Sequence, residues 1–280
     1  MHSAVLEAFD LFDTRIRPTA ADHRVILERR NSICEMLHNE PCVLECLAVG
    51  SIARSTAIAG YSDIDVLSVL DPTLDWTPAS ALEKVSEVVD GSGLAGQISE
   101  NTVVVSYRSG PSVDVLPGVP IPGHADEAIF SIPNAAVTGW IKYDPERQDN
   151  LVLQAARHLG PRFNGLVRML KWWNVRSGST YRSFQVEARV AAAFPDGIPV
   201  YPEAITEFLQ QEFRRLTDGV TAGAKRACEL LLESKVDQIA QLEGSLSLAE
   251  RALEASSVDS KRATAEWRRI FGDKFPLIGG

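Results

Sequence analysis

Two aspartates one residue apart, Asp63 and Asp65, stand at the head of the apolar run Ile64-Asp65-Val66-Leu67-Ser68-Val69-Leu70. In an extended strand residues i and i+2 point to the same face, so the two carboxylates project side by side while Ile64 and Val66 turn to the core. Like charges so close are costly unless something neutralises them. Hard divalent cations do so, and carboxylate oxygens are the ligands Mg²⁺ prefers. A third acid, Asp114, lies in Ser112-Val113-Asp114-Val115-Leu116. A lone charge between β-branched residues is odd for a core strand and natural at the edge of a metal site. With two ions in such a cage, one lowers the pKa of an attacking ribose hydroxyl and the other steadies the β,γ-phosphates and the departing pyrophosphate.

Eleven residues lie between Gly50-Ser51 and Asp63. Glycine lets backbone approach an anion closely, exposed N–H groups at such a turn bind phosphate, and the Ser51 hydroxyl adds a donor. A triphosphate at Gly50-Ser51 and metal at the aspartates would share one site. Alone, a Gly-Ser pair is usually a turn and Asp-x-Asp usually a solvated strand edge. Their spacing, together with Asp114, carries the functional reading. The competing role for Asp114 is a turn cap ahead of Pro117. Arg54 and Thr56 either organise the intervening loop or touch substrate.

Short β-rich runs must position these groups. Val43 to Val49 stops at Gly50-Ser51, Ile64 to Leu70 at Asp71-Pro72, and Val113 to Leu116 at Pro117-Gly118, with Val103 to Tyr107 before it. A helix over Pro78 to Val89 precedes the glycine-rich turn Gly91 to Gly96. The result is a mixed sheet with helical cover from Cys42 to Pro120. Ahead of it, Ala4, Leu6, Phe9, Leu11 and Phe12 form a helical face before Pro18, and Thr19 and Asp22 are capping candidates for a second helix carrying Val25, Ile26, Ile33 and Leu37. Beyond Asn150 the pattern is helical: Leu151 to Val175 as one long segment, then Phe184 to Phe194, Glu203 to Leu216, Thr221 to Leu242 and Ser257 to Phe271. Trp172, Trp173 and Trp267 fit a core. The fold expected is α+β: N-terminal helices (1–41), a catalytic core (42–149) and a helical lobe (150–280), with an active-site cleft between core and lobe.

The bulk composition narrows the substrate. Over 280 residues 45% are hydrophobic, enough for a substantial core, and the formal net charge is -9. Proteins that grip long nucleic acid usually carry excess Lys and Arg, so a small-molecule substrate is expected and long nucleic acid is not. Met1 to Phe9 hold no apolar run long enough for a secretory leader, and nowhere do about 18 consecutive apolar residues occur, so no membrane is expected. Cys34, Cys42, Cys46 and Cys228 include no zinc set, and the expectation is reduced thiols in a cytoplasmic protein.

The string Gly50-Ser51-x-x-Arg54-x-Thr56-Ala57-Ile58-x-Gly60-x-Ser62-Asp63-Ile64-Asp65-Val66 resembles the CD-NTases, the cGAS/DncV-like nucleotidyltransferases with SMODS domains, within the DNA polymerase β-like superfamily. Asp114-Val115-Leu116-Pro117, the Arg168-x-x-Lys171-x-Trp173-Asn174 helix and Trp267-x-x-x-Phe271-Gly272-x-x-Phe275-Pro276 agree with it. The resemblance implies a polymerase β-like core of mixed sheet and helices with a helical lobe like that of oligoadenylate synthetases, and N-terminal helices (1–41) bracing both lobes. It implies template-independent condensation of nucleoside triphosphates into a cyclic di- or trinucleotide, sensed by a downstream effector in bacterial anti-phage signalling. Carried over, Asp63, Asp65 and Asp114 bind two Mg²⁺ ions, with Mn²⁺ able to substitute, and Gly50 and Ser51 hold the triphosphate. Lys171 matches a helical phosphate contact, with the alternative of an ordinary surface lysine. Ser183-Phe184 matches a Ser-Tyr pair in which serine meets phosphate and the ring stacks on a base; the alternatives are a helix cap and plain core. Where the family often has His, this chain has Gln185, and Ser55 replaces a common glycine.

Two other functions fit less of the sequence. A nucleotidyltransferase for a tRNA 3′ end, a protein hydroxyl or a small molecule would share the three acids, but the acidic balance disfavours tRNA. A non-catalytic nucleotide sensor would be expected to have lost at least one acid, and none is missing.

Overall fold

β-branched runs and proline or glycine stops set the strands, and the pleat decides which side chains are buried. β1 (Val43–Val49) pairs antiparallel with β2 (Ile64–Leu70), and β2 pairs parallel with β5 (Val113–Pro120). β4 (Thr102–Val105) and β3 (Gly96–Ser99) continue antiparallel beyond β5, giving the order β1-β2-β5-β4-β3. β6 (Phe130–Pro133) adds to the far end of β5 and pairs with β7 (Trp140–Tyr143). The computed structural model describes residues 3–123, 128–223 and 229–278.

The chain divides into two compact units, one of residues 18–153 and the other of residues 1–17 with 154–280. In the sheet unit, α2 (Ala20–His38) and α4 (Pro78–Gly91) cover one face. Ile26, Ile33 and Leu37 meet Ile64, Val66, Val85, Val89, Val113 and Val115 there in one buried cluster. On the opposite face Leu67 and Val69 pack with Val49, Phe130 and Ile132. Thr19 caps α2 reciprocally with Asp22, which contributes about 1 kcal/mol to such a helix and fixes where it starts. The two acidic strands therefore turn Ile64, Val66, Val113 and Val115 to the helices, and Asp65 and Asp114 to the other side.

In the helical unit, α1 (Ser3–Ile16) packs with α6 (Arg162–Arg176), α8 (Tyr201–Gly223) and α10 (Ser260–Phe271). Its core is aromatic: the Phe9 ring lies 5.0 Å from Trp267 and 4.9 Å from Phe275, and Phe12 lies 4.8 Å from Phe271. Trp172, Trp173 and Trp267 are all buried. Arg168 forks onto Asp13 through hydrogen bonds of 2.9 and 3.0 Å, both groups buried, so α1 is tied to α6 by charge as well as packing. α7 (Ser183–Ala193) and α9 (Glu229–Ala255) complete the unit. α1 thus groups with the C-terminal helices and α2 with the sheet.

Several elements differ from the sequence reading. The long segment from Leu151 is two helices, α5 (Pro145–Leu159) and α6, broken at Gly160-Pro161, where glycine takes a left-handed φ of 79°. The turn from Gly91 ends at Gly96 in β3, and β6 and β7 add two strands beyond those the sequence pattern shows. The helix expected over Thr221 to Leu242 lies partly outside the described residues, as does Cys228. The reduced-thiol expectation is corrected: Cys34 and Cys46 form a disulfide. They stand 12 positions apart in sequence, but α2 packs on β1 and brings the two together. Cys42 is free. No helix among the described residues is long and apolar enough to cross a membrane.

Candidate active site

Asp65 and Asp114 are register partners across the parallel β2–β5 pair, flanked by Ile64↔Val113 and Val66↔Val115. Adjacent strands lie about 4.8 Å apart, so the two carboxylates leave the same face side by side. Asp63 precedes β2 and is exposed, whereas Asp65 and Asp114 are half-buried. Burial, then the negative charge of Asp63, pushes the Asp114 carboxyl up to about 6. Asp114 Oδ1 is buried and has no hydrogen-bond partner among the described residues. A buried carboxylate oxygen without a donor, facing two further acids, is the environment a divalent cation satisfies. Among the described residues no group of three His, Cys, Asp or Glu side chains is placed to hold a metal ion as it stands. The oxygen donors of Asp63, Asp65 and Asp114 are of the type that suits Mg²⁺ or Mn²⁺.

Gly50 and Ser51 sit at the end of β1 and open α3, the single helical turn Gly50–Ala53. Gly50 takes a φ of 78°, and a Cβ added there would lie 1.9 Å from Asp65 Oδ2. The glycine is therefore needed twice over, for its backbone angle and for the carboxylate against it. Ser51 is buried, and its carbonyl accepts the Thr56 N–H at 2.9 Å. The loop that follows closes on itself, with the Ser62 hydroxyl accepting the Ile58 N–H at 2.9 Å. Thr56 and Ser62 thus organise the stretch between the Gly-Ser turn and the acids.

Three further side chains border the acids. The buried guanidinium of Arg54 reaches Asp149 on α5 at 3.1 Å. Tyr143, at the end of β7, is pushed up to about 12 by burial, against the pull of Arg54 and with Asp65 and Asp149 adding to the rise, so its hydroxyl stays protonated at neutral pH. Ser112 donates its hydroxyl to Asp63 Oδ1. Arg54 belongs to the motif visible in the sequence; Tyr143, Asp149 and Ser112 carry no signal there, because only the strand pairing and the packing of α5 bring them in.

The helical-unit candidates form a second group. Lys171 is buried in α6, and its ammonium donates to Glu187 Oε1 at 2.6 Å. It is not the surface lysine that was the alternative. Asn174 grips the Tyr181 backbone at both ends, donating to its carbonyl at 2.8 Å and accepting its N–H at 3.0 Å. This fixes the turn that delivers Ser183 to the first position of α7. Arg182, not Ser183, is the N-cap, and Gln185 serves that end by accepting the Arg182 N–H at 2.9 Å. Ser183 is exposed and Phe184 half-buried.

Residues 4–154, more than half of the chain, match the model of the Second Messenger Oligonucleotide or Dinucleotide Synthetase domain, SMODS. The chain belongs to this family. It is a CD-NTase, an enzyme of nucleotidyl transfer. No protein of curated function matches it by sequence. CdnG of Bradyrhizobium diazoefficiens, solved in complex with GTP, superposes with a TM-score of 0.77 at 13% identity, covering 97% of this chain and 96% of that one. CdnC of E. coli MS115-1, solved in complex with HORMA-deltaN, gives 0.74 at 16% identity over 95% and 96%. The DncV cyclic AMP-GMP synthase of Vibrio cholerae, holding the linear intermediate pppA(3′,5′)pG, gives 0.64 at 12% identity over 83% and 69%. At these identities the likeness establishes the fold of the CD-NTase and leaves the chemistry to its residues.

Proposed function

We propose that this CD-NTase condenses nucleoside triphosphates, without template or primer, into a cyclic di- or trinucleotide and releases pyrophosphate. One observation carries the reading: the unpartnered, buried Oδ1 of Asp114 stands in register with Asp65, whose carboxylate lies against Gly50 of the Gly-Ser turn. Acids and triphosphate turn are one site. Asp63, Asp65 and Asp114 would hold two Mg²⁺ ions, or Mn²⁺. Such ions supply charge stabilisation for the phosphates and a lowered pKa for the attacking hydroxyl. Gly50 and Ser51 would hold the triphosphate. Ser183 would meet phosphate and Phe184 would stack on a base, worth about 1–3 kcal/mol. Lys171 is included as a phosphate contact that binding would have to draw from its pair with Glu187. Protonated Tyr143 and the Arg54–Asp149 pair would keep the Gly-Ser loop and Asp65 in place.

Relatives solved with ATP, GTP and a linear dinucleotide support triphosphates as substrates. A chain of formal net charge -9 suits small substrates over a long polyanion. A cytoplasmic setting and a role in anti-phage signalling through an effector that senses the product complete the proposal.

The test incubates purified protein with each labelled triphosphate and Mg²⁺, then treats the products with phosphatase before mass spectrometry. A ring has no phosphomonoester end and survives. Linear products alone, or label moving only onto added tRNA or protein, would replace the cyclase reading with that of an acceptor-modifying enzyme.

A further inference from the structure

Asp65 and Asp114 are aimed by the pleat of two paired strands, but Asp63 is not. It lies one residue ahead of β2, exposed, with no strand geometry to fix its carboxylate. What holds it is Ser112, the residue ahead of β5. The Ser112 carbonyl accepts the Ile64 N–H at 2.9 Å, starting the β2–β5 pairing, and the Ser112 hydroxyl donates to Asp63 Oδ1. One residue thus sets both the backbone after Asp63 and the rotation of its carboxylate.

Ser112 is in turn held from α2. Arg29 donates Nη1 to the Pro111 carbonyl and Nη2 to the Ser109 carbonyl. Its guanidinium carbon lies 4.0 Å from the centroid of the Tyr107 ring, at the exit of β4. A planar fork that takes two carbonyls and stacks on a ring is geometry that Arg provides and Lys does not. The turn from β4 to β5 is clamped around one guanidinium, and Ser112 emerges from that clamp.

We propose that Ser112 is a positioning residue for Asp63, presenting its carboxylate to a divalent cation, with Arg29 as the clamp that holds Ser112. The proposal rests on the reading of Asp63 as a metal ligand. An ionised carboxylate offers about four lone-pair sites, so the hydroxyl occupies one on Oδ1 and leaves Oδ2 and the remainder of Oδ1 to the ion. Groups that orient a ligand in this way typically cost about 10–100-fold in metal affinity or activity when removed.

The test is a Mn²⁺ titration of nucleotide-free protein, followed by electron paramagnetic resonance, with thermal melting as a check on folding. Ser112→Ala is expected to weaken Mn²⁺ binding about tenfold, the lower end of that range, with the metal-free melting temperature unmoved. Ser112→Thr, which keeps the hydroxyl, is expected to recover most of the loss. Arg29→Lys is expected to fall between, and it carries the test should Ser112→Ala not fold. Wild-type Mn²⁺ affinity in a folded Ser112→Ala, or a loss that Ser112→Thr does not recover, overturns the proposal. Equal Mn²⁺ binding by wild type and Asp63→Asn overturns both the ligand reading and this one. Mn²⁺ binding that depends on Asp63 and Ser112, in a protein that makes no oligonucleotide, sinks the product reading and leaves Ser112 in its role.

Discussion

The carboxylate of Asp65 fills the space that a side chain on Gly50 would need, with Oδ2 1.9 Å from where a Cβ would stand. Gly50→Ala should therefore strain the backbone at a φ of 78° and push Asp65 aside. The left-handed strain alone costs about 1–3 kcal/mol. Displacing a ligand by an ångström is expected to lower pyrophosphate release about a hundredfold. Gly60→Ala is the control, since Gly60 has a φ of 77° but no atom of the described residues within 4 Å of an added Cβ. It should lower the melting temperature and spare turnover. Equal loss of activity in both variants would count against the Gly50–Asp65 contact.

The raised carboxyl of Asp114 makes a prediction about pH. Its charged form is disfavoured in the folded, metal-free state, so its contribution to stability is greatest below the unfolded value of 3.8 and is lost as pH rises through about 6. Asp114→Asn should abolish turnover yet melt higher than wild type in EDTA at pH 7.5. A gain of about 1 kcal/mol corresponds to about 2–4 °C. At pH 5 the gap should narrow. Metal affinity should fall as pH drops through about 6, because proton and cation compete for the same oxygens. A variant that melts lower than wild type at pH 7.5 in EDTA would contradict this account.

Lys171 and Glu187 invite a two-part measurement. Glu187→Ala leaves a buried ammonium without its carboxylate partner, a change that costs about 3–5 kcal/mol. The double variant Lys171→Met/Glu187→Leu removes both charges and should cost less. If Lys171 also meets the triphosphate, the folded double variant will show a raised KM for nucleotide. An unchanged KM would confine Lys171 to holding α6 against α7.

The Cys34–Cys46 bridge spans twelve residues, a separation for which loop closure in the unfolded chain is worth about 3 kcal/mol. Reductant should lower the melting temperature of the wild type, and should leave that of Cys34→Ser/Cys46→Ser where it is. Melting curves with and without dithiothreitol decide it.

The acids were legible because β-strand alternation is a local rule: Ile64, Val66, Val113 and Val115 announce the buried face and leave Asp65 and Asp114 on the other. The Thr19–Asp22 cap was legible for the same reason, being complete within four residues. What the sequence hid is what needs the third dimension. β6 and β7 are four-residue strands with little alternation, and Tyr143 comes to the acids only through them. The α5–α6 break was hidden although Gly160-Pro161 marks it, since apolar periodicity resumes on both sides. Cys34 and Cys46 meet across a helix–strand contact, and Ser112 reaches Asp63 across a strand pair, neither visible as spacing.

The parallel pairing of β2 with β5 has one more consequence. Asp65 and Asp114 are matched by register, not by the chain that joins them. That chain runs through α4, β3 and β4 before the Arg29 clamp, and its length is invisible to the acids. Doubling a flexible connection costs only about 0.6 kcal/mol of closure entropy. The turn between α4 and β3, around Gly93, is thus a place where homologues can gain or lose residues freely, and where a reporter peptide could be spliced in without disturbing the metal ligands. A single-residue slip between β2 and β5 is the opposite case: it would send one of the two acids into the valine core.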